Sequence, residues 1–166
     1  KGRVRLVKYP DGTVEILIAN VEMGQGSQTA MKKIVSYTLG IPLTSIIYKN
    51  PDTDRVPDSG PTVASRTTVI TGRLLKDAAE ELKARWNEKG SVEVERCYSH
   101  PLGFEWDDDN LRGDAYTSYS WGANVVEVEV DPVTYETKVT GAWGVYDIGA
   151  PIDDRIVKGQ IEGGML

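Results

Sequence analysis

Little in this sequence suits covalent cross-linking or metal ligation by side chains. It holds one cysteine, Cys97, and one histidine, His100. A single thiol excludes an internal disulfide, and a single imidazole excludes a multi-histidine metal centre. Basic residues are outnumbered: 19 Lys and Arg against 25 Asp and Glu leave a net charge of −6, the wrong sign for a nucleic-acid surface. No apolar run approaches the roughly 20 residues of a membrane-spanning helix. The basic start Lys1-Gly2-Arg3-Val4-Arg5 lacks the apolar segment of a secretory signal. The expected compartment is therefore the cytoplasm. The acidic run Asp107-Asp108-Asp109 lacks the spaced ligands and final Glu of a calcium loop, and reads as a solvated loop.

At 166 residues the chain is long enough for one core, or for two small lobes sharing one. It opens at Lys1 and closes on the apolar stretch from Gly159 to Leu166 without a stop signal. The expectation is that residues 1–166 are one partial domain excised from a longer polypeptide.

The organising stretch is Val21-Glu22-Met23-Gly24-Gln25-Gly26-Ser27-Gln28-Thr29. A β-branched apolar run leads into it and an amphipathic helical pattern leads out. Gly24 and Gly26 lack a Cβ and can take positive φ, which lets the backbone approach something closely. Ser27 or Thr29 is placed to cap the following helix and leave its first N–H groups pointing at an anion. A strand, a glycine turn and a helix N-terminus can cradle a phosphate or a pterin, or can simply turn the chain. A dinucleotide fingerprint needs Gly or Ala at position 29, where this chain has Thr, so the stretch is not a Rossmann site.

Arg3 to Lys8 alternates as a half-buried strand, Tyr9-Pro10-Asp11-Gly12 is a turn, and Thr13 to Ile18 returns as its hairpin partner. Ala30, Met31, Ile34, Val35 and Thr38 recur at helical spacing, closed by Gly40 and Pro42. Ser45 to Tyr48 is a brief strand, and Asn50 to Pro61 a loop. From Thr62 a long helix is predicted, with Ile70, Leu74, Leu75, Ala78, Ala79, Leu82 and Trp86 on one apolar stripe, ended by Gly90. Val92 to Cys97 is a strand, and His100 to Asp114 is irregular. Ala123 to Val130 and Lys138 to Val145 form a second hairpin, and Asp153 or Asp154 caps a last helix. The predicted fold is α+β: antiparallel hairpins and a short strand in a mixed sheet, with two main helices on one face. Its core is expected to include Ile16, Ile34, Leu74, Leu82, Val126 and Val128.

Three stretches together resemble the molybdenum-binding large subunit of the xanthine dehydrogenase and aldehyde oxidase family. They are Glu22-Met23-Gly24-Gln25-Gly26; Pro57-Asp58-Ser59-Gly60-Pro61-Thr62-Val63-Ala64-Ser65-Arg66-Thr67-Thr68; and Gly122 to Pro132, closing on Asp147-Ile148-Gly149 and Gly159-Gln160-Ile161-Glu162-Gly163-Gly164. The resemblance spans Asp11 to Leu166. It departs from the family around Pro101 to Arg112, which is shorter and more acidic, and at Tyr135, where a turn glycine is common.

The resemblance implies a molybdopterin carrying molybdenum, bare or extended as the cytosine dinucleotide, with iron–sulfur clusters and FAD on other domains or subunits. It implies hydroxylation of purines, N-heterocycles or aldehydes with water-derived oxygen. Met23, Gly24 and Gln25, with the turn residue Gly26, would line the pterin or its phosphate. Ala64, Ser65, Arg66, Thr67 and Thr68 would wrap the cofactor, Ala64 near the metal, and Gln160 would touch it from the third stretch. Ser65 and Thr67 can equally be helix N-caps, and Arg66 a surface charge. No catalytic residue and no metal-ligating side chain is assigned. The general base that the family implies, a glutamate in a Gly-rich segment, would lie beyond Leu166, and neither Glu22 nor Glu162 matches it. The isolated chain is thus expected to be inert, with its cofactor face and the apolar tail Ile161 to Leu166 either exposed or buried by self-association. The rival reading is a non-catalytic scaffold serving subunit assembly.

Overall fold

The computed structural model describes residues 2–165. Lys1 and Leu166, the last residue of the apolar tail, lie outside the described residues. The chain divides into two compact units, one reaching to Ser99 and the other beginning at His100.

In the first unit, strand β1 (Arg3–Lys8) and strand β2 (Val14–Leu17) pair antiparallel across the expected turn. That turn has Gly12 at φ 84°, and the Asp11 carboxylate accepts the Thr13 amide at 2.9 Å. Helix α1 (Ser27–Leu39) then crosses over the sheet, so strand β3 (Ile46–Tyr48) lies parallel to β2. Strand β4 (Val92–Cys97) closes the other edge antiparallel to β1, giving the order β3-β2-β1-β4. The sheet is mixed, as expected for α+β.

Helix α2 (Arg73–Ala84) packs beside α1 over β1 and β4. Its stripe Leu75, Ala78, Ala79 and Leu82 is fully buried against Val4, Leu6, Met31 and Val35. Each large aliphatic side chain among these contributes about 1.5–3 kcal/mol by leaving water. Lys8, also buried, sends its ammonium to the carbonyls of Trp86 (2.6 Å) and Glu88 (3.0 Å), beyond the end of α2. Glu15, another buried charge, accepts the Tyr9 hydroxyl at 2.5 Å and the Arg55 guanidinium at 3.0 Å.

The long helix differs from its prediction at the start. Thr67–Gly72 forms a π-helical segment before α2 begins. The wider turn leaves the apolar spacing downstream intact, so periodicity carries no sign of it.

In the second unit, strands β5 (Trp106–Asp107) and β6 (Arg112–Gly113) make a small hairpin where the sequence reads as irregular. Asp107 turns it by accepting the amides of Asp109 and Asn110. Strands β7 (Trp121–Val130) and β8 (Thr137–Asp147) pair antiparallel with a bulge at Glu127/Val128. They form a sheet of their own rather than joining the mixed sheet. Val126 and Val128 are 56% and 50% exposed, which corrects their expected place in the core. Helix α3 (Asp154–Met165) starts where expected, with Asp153 accepting the amides of Arg155 (3.0 Å) and Ile156 (3.2 Å).

Candidate cofactor-binding loops

The first loop runs from the end of β2 to α1. Gly24 and Gly26 take φ of 102° and 81°, and Gly26 is the N-cap residue. No side chain at the cap position bonds to the helix, so the expected role of Ser27 or Thr29 is overturned. Glu22 takes that role from four residues upstream. Its carboxylate accepts the amides of Gly24 (2.8 Å), Gly26 (3.0 Å) and Gln28 (2.9 Å) and the Ser27 hydroxyl (3.2 Å). The partial positive charge of the helix end is thus met from inside the chain. Burial alone would raise the Glu22 pKa, but the hydrogen bonds from Gln28, Gly26, Gly24 and Ser27 outweigh it and hold the carboxyl below the usual Glu range. Burial, and secondarily the Glu22 charge, pushes the Tyr48 phenol up to about 12.

Gln25 folds back into the same loop. Its Nε2 donates to the Val21 carbonyl (2.9 Å) and to Ser27 Oγ (3.2 Å), and its Oε1 accepts the Met23 amide (2.6 Å). Met23 is 71% exposed, and nothing stands within 4 Å of where a Gly24 Cβ would project. The space beside Gly24 is open, while the amides of Met23, Gly24 and Gly26 are taken by side chains of the same loop.

The second loop is anchored at Ser59, which is fully buried. Its hydroxyl accepts the Ala19 amide (2.9 Å) and donates to the Arg3 carbonyl (2.7 Å). Ala64 and Ser65 follow at φ 46° and 61°. Left-handed backbone costs a residue with a Cβ about 1–2 kcal/mol, so the loop stores strain at two exposed residues. No side chain caps the helix that follows, which removes the N-cap alternative for Ser65 and Thr67. Arg66 is no mere surface charge. Its guanidinium donates to the carbonyls of Ser59 (2.8 Å) and Pro61 (2.9 Å), and a Cβ on Gly60 would collide with it. Thr67 is buried and accepts a hydrogen bond from Asn20, whereas Thr68 is exposed.

The structure joins the two loops at their base. The Val21 amide and Asn20 Nδ2 both donate to Thr62 Oγ1, at 3.1 Å and 3.3 Å. Gln160 lies on α3 in the second unit, exposed, and so belongs to a different body from Met23–Gly26 and Ala64–Thr68. Sequence reasoning passes over Asn20, Thr71 and the capping role of Glu22. The available signal is a lone amide side chain placed directly after the apolar run from Ile16 to Ala19.

The sequence pattern of the molybdopterin cofactor-binding domain matches residues 1–96 and 84–166. The chain belongs to that family. It is 32% identical over 179 residues to xanthine dehydrogenase 1 of Arabidopsis thaliana, covering 95% of this chain and 13% of that protein. The xanthine dehydrogenase/oxidase of Gallus gallus is 30% identical over 177 residues, with the same coverage. Aldehyde oxidase 4 of Cavia porcellus is 32% identical over 177 residues, again across 95% of this chain and 13% of its own length. Among solved structures, the aldehyde oxidoreductase of Desulfovibrio gigas superposes with a TM-score of 0.81 at 26% identity, over 98% of this chain and 20% of that one. The chain therefore spans about an eighth of the curated relatives it matches. Among the described residues, no cluster of His, Cys, Asp and Glu is arranged to hold a metal ion. No described helix is long and apolar enough to cross a membrane.

Proposed function

We propose that this chain is part of the cofactor-binding region of a xanthine dehydrogenase-like molybdenum hydroxylase, acting on a purine, an N-heterocycle or an aldehyde. The supporting observation is the pair of exposed loops tied together at Asn20 and Thr62. One offers the exposed Met23 and the open space beside Gly24, and the other the strained pair Ala64–Ser65 at an uncapped helix start. When bound, a molybdopterin supplies the two-electron redox chemistry that adds water-derived oxygen to the substrate.

This chain's residues bind and orient. Backbone amides and small hydroxyls of Ala64, Ser65 and Thr68 suit the dense donors and acceptors of a pterin and its phosphate, while Gly24, its amide held by Glu22, leaves open space beside its Cα. Arg66 and Thr67 act from behind, holding the loop. The phosphate of the cofactor belongs with the second loop, since Glu22 already occupies the positive end of α1. Gln160 is a further contact from α3. Glu22 cannot be a general base here, because four donors saturate its carboxylate. Glu162, on the exposed side of α3, faces Lys158 at 3.6 Å.

The base, further cofactor contacts, iron–sulfur clusters and flavin belong to other parts of a cytoplasmic parent enzyme. The isolated chain is consequently inert, since a cofactor held by a fraction of its contacts must still offset the full association entropy. The test is elemental molybdenum analysis and pterin fluorescence, together with hypoxanthine and aldehyde oxidation using an artificial acceptor. The parent should be loaded and active and the isolated chain neither. Stoichiometric metal or turnover in the 166-residue chain would overturn the partial-site reading.

A further inference from the structure

The strained segment of the second loop is bracketed by one amide group. Asn20 is fully buried, and its Nδ2 donates to Thr62 Oγ1 at 3.3 Å and to Thr67 Oγ1 at 3.2 Å. Those two threonines stand on either side of Val63–Arg66, the stretch that holds Ala64 and Ser65 at positive φ. Asn20 Oδ1 accepts the Thr71 hydroxyl at 3.0 Å, so the π-helical segment is gripped at two positions four residues apart. On its other side the Asn20 carbonyl accepts the Tyr48 hydroxyl at 3.1 Å, which fixes the residue to β3. Asn20 also stands two residues before Glu22, the root of the glycine loop.

We infer that Asn20 is a positioning residue for the cofactor, acting through the second loop by holding both ends of Val63–Arg66 at a fixed distance from the first loop. This rests on the proposed cofactor reading of the two loops. An amide is suited to the task because one planar NH2 group offers two hydrogens with a fixed spread, so the two threonine hydroxyls cannot drift apart independently. Supporting groups of this kind commonly change the affinity for a bound metal group by about 10–100-fold when removed.

The experiment uses the complete molybdenum enzyme carrying this chain, with molybdenum measured by elemental analysis and pterin by the fluorescence of its oxidised form. Asn20→Ala should lower cofactor retention after gel filtration by about tenfold or more. Thr67→Val is nearly isosteric and removes one of the two anchors. Retention should fall there too, and this variant carries the test where Asn20→Ala does not fold. The deciding variant is Asn20→Ala/Ala64→Gly. Glycine adopts positive φ unaided, so it should restore part of the lost retention. A role confined to core stability predicts a lowered melting temperature with no rescue from position 64, and that result overturns the inference. Wild-type retention in both Asn20→Ala and Thr67→Val overturns it as well. A parent enzyme that carries no pterin at all refutes the cofactor reading itself, so the two failures are distinguishable.

Discussion

Two strands of this molecule carry nearly the same residues and meet opposite fates. Strand β4 reads Val92-Glu93-Val94-Glu95, and β7 reads Val126-Glu127-Val128-Glu129-Val130. In β4 the valines are 3% and 2% exposed, because α2 lies over them. In β7 the last two valines are each 50% exposed, and the ribbon it makes with β8 also presents Trp121, Val125, Trp143 and Val145 to solvent. Alternation establishes that a strand has two faces. It says nothing of whether a second layer covers one of them. Among the described residues, the buried apolar core lies wholly within the first unit. An apolar ribbon exposed to this degree is the kind of surface that meets another layer.

The sharpest way to break the contrast is truncation in each unit. Leu82→Ala, under α2, should cost about 2–5 kcal/mol by chemical denaturation. Val128→Ala should stay within about 0.5 kcal/mol in the isolated chain. Equal costs would mean that β7 is covered in solution.

A smaller effect is expected at the glycine loop. Gly24→Ala must hold a Cβ at φ 102° with open space around it, so strain alone should cost about 1–2 kcal/mol. In the parent enzyme molybdenum content should fall in step with activity for the Gly24→Ala/Gly26→Ala pair. Full loading of that double variant would leave only a turn.

Glu22→Gln should cost roughly 1 kcal/mol, the scale of a lost helix cap, and should do so in a pH-dependent way. The folded Glu22 pKa lies below its usual 4.5, so its contribution is complete above that pH and disappears as pH falls through the lowered folded value. Melting curves of the two proteins should therefore converge in acid. Curves that stay parallel would show that the charge is irrelevant.

The smallest effect belongs to the second unit. Tyr135 sits at φ 59° in the β7–β8 turn and is 78% exposed. Tyr135→Gly should stabilise the hairpin by up to about 1 kcal/mol, relieved strain being partly cancelled by glycine's greater freedom when unfolded. A destabilised Tyr135→Gly hairpin, measured by hydrogen exchange, would mean that the ring has a partner.

What can be read in advance follows the range of the interactions. The β1–β2 hairpin is set by Pro10, Asp11 and Gly12, all neighbours, and α1 by apolar spacing with Gly40 at its end. Both are legible. The bonds of the Asn20 side chain reach 42 to 51 residues along the chain and join polar groups, which no periodicity registers. Glu22 is legible as part of a motif but not as a cap, since Ser27 and Thr29 stand closer to the usual capping place. Gly26 in the left-handed region turns the chain so that a residue further upstream reaches the amides instead. Val126 and Val128 are misplaced in the core by any reading that equates alternation with burial.

The sheet order has a kinetic meaning. Central β1 meets β2 across a tight turn, whereas its partner on the other side brings Arg5 to Glu95, 90 residues on. Local hairpins close in microseconds, while distant pairings wait on the entropy of a long loop. The Asn20–Thr62 junction closes a shorter loop, 42 residues long, nested inside that pairing, so we expect it to set no later than β4 docks. Pulse-labelling hydrogen exchange during refolding is the check: the Val21 amide, which donates to Thr62, should gain protection no later than the amides of β4. The two loops would then be joined before the far edge of the sheet is laid down, and β4 would close over a junction already made.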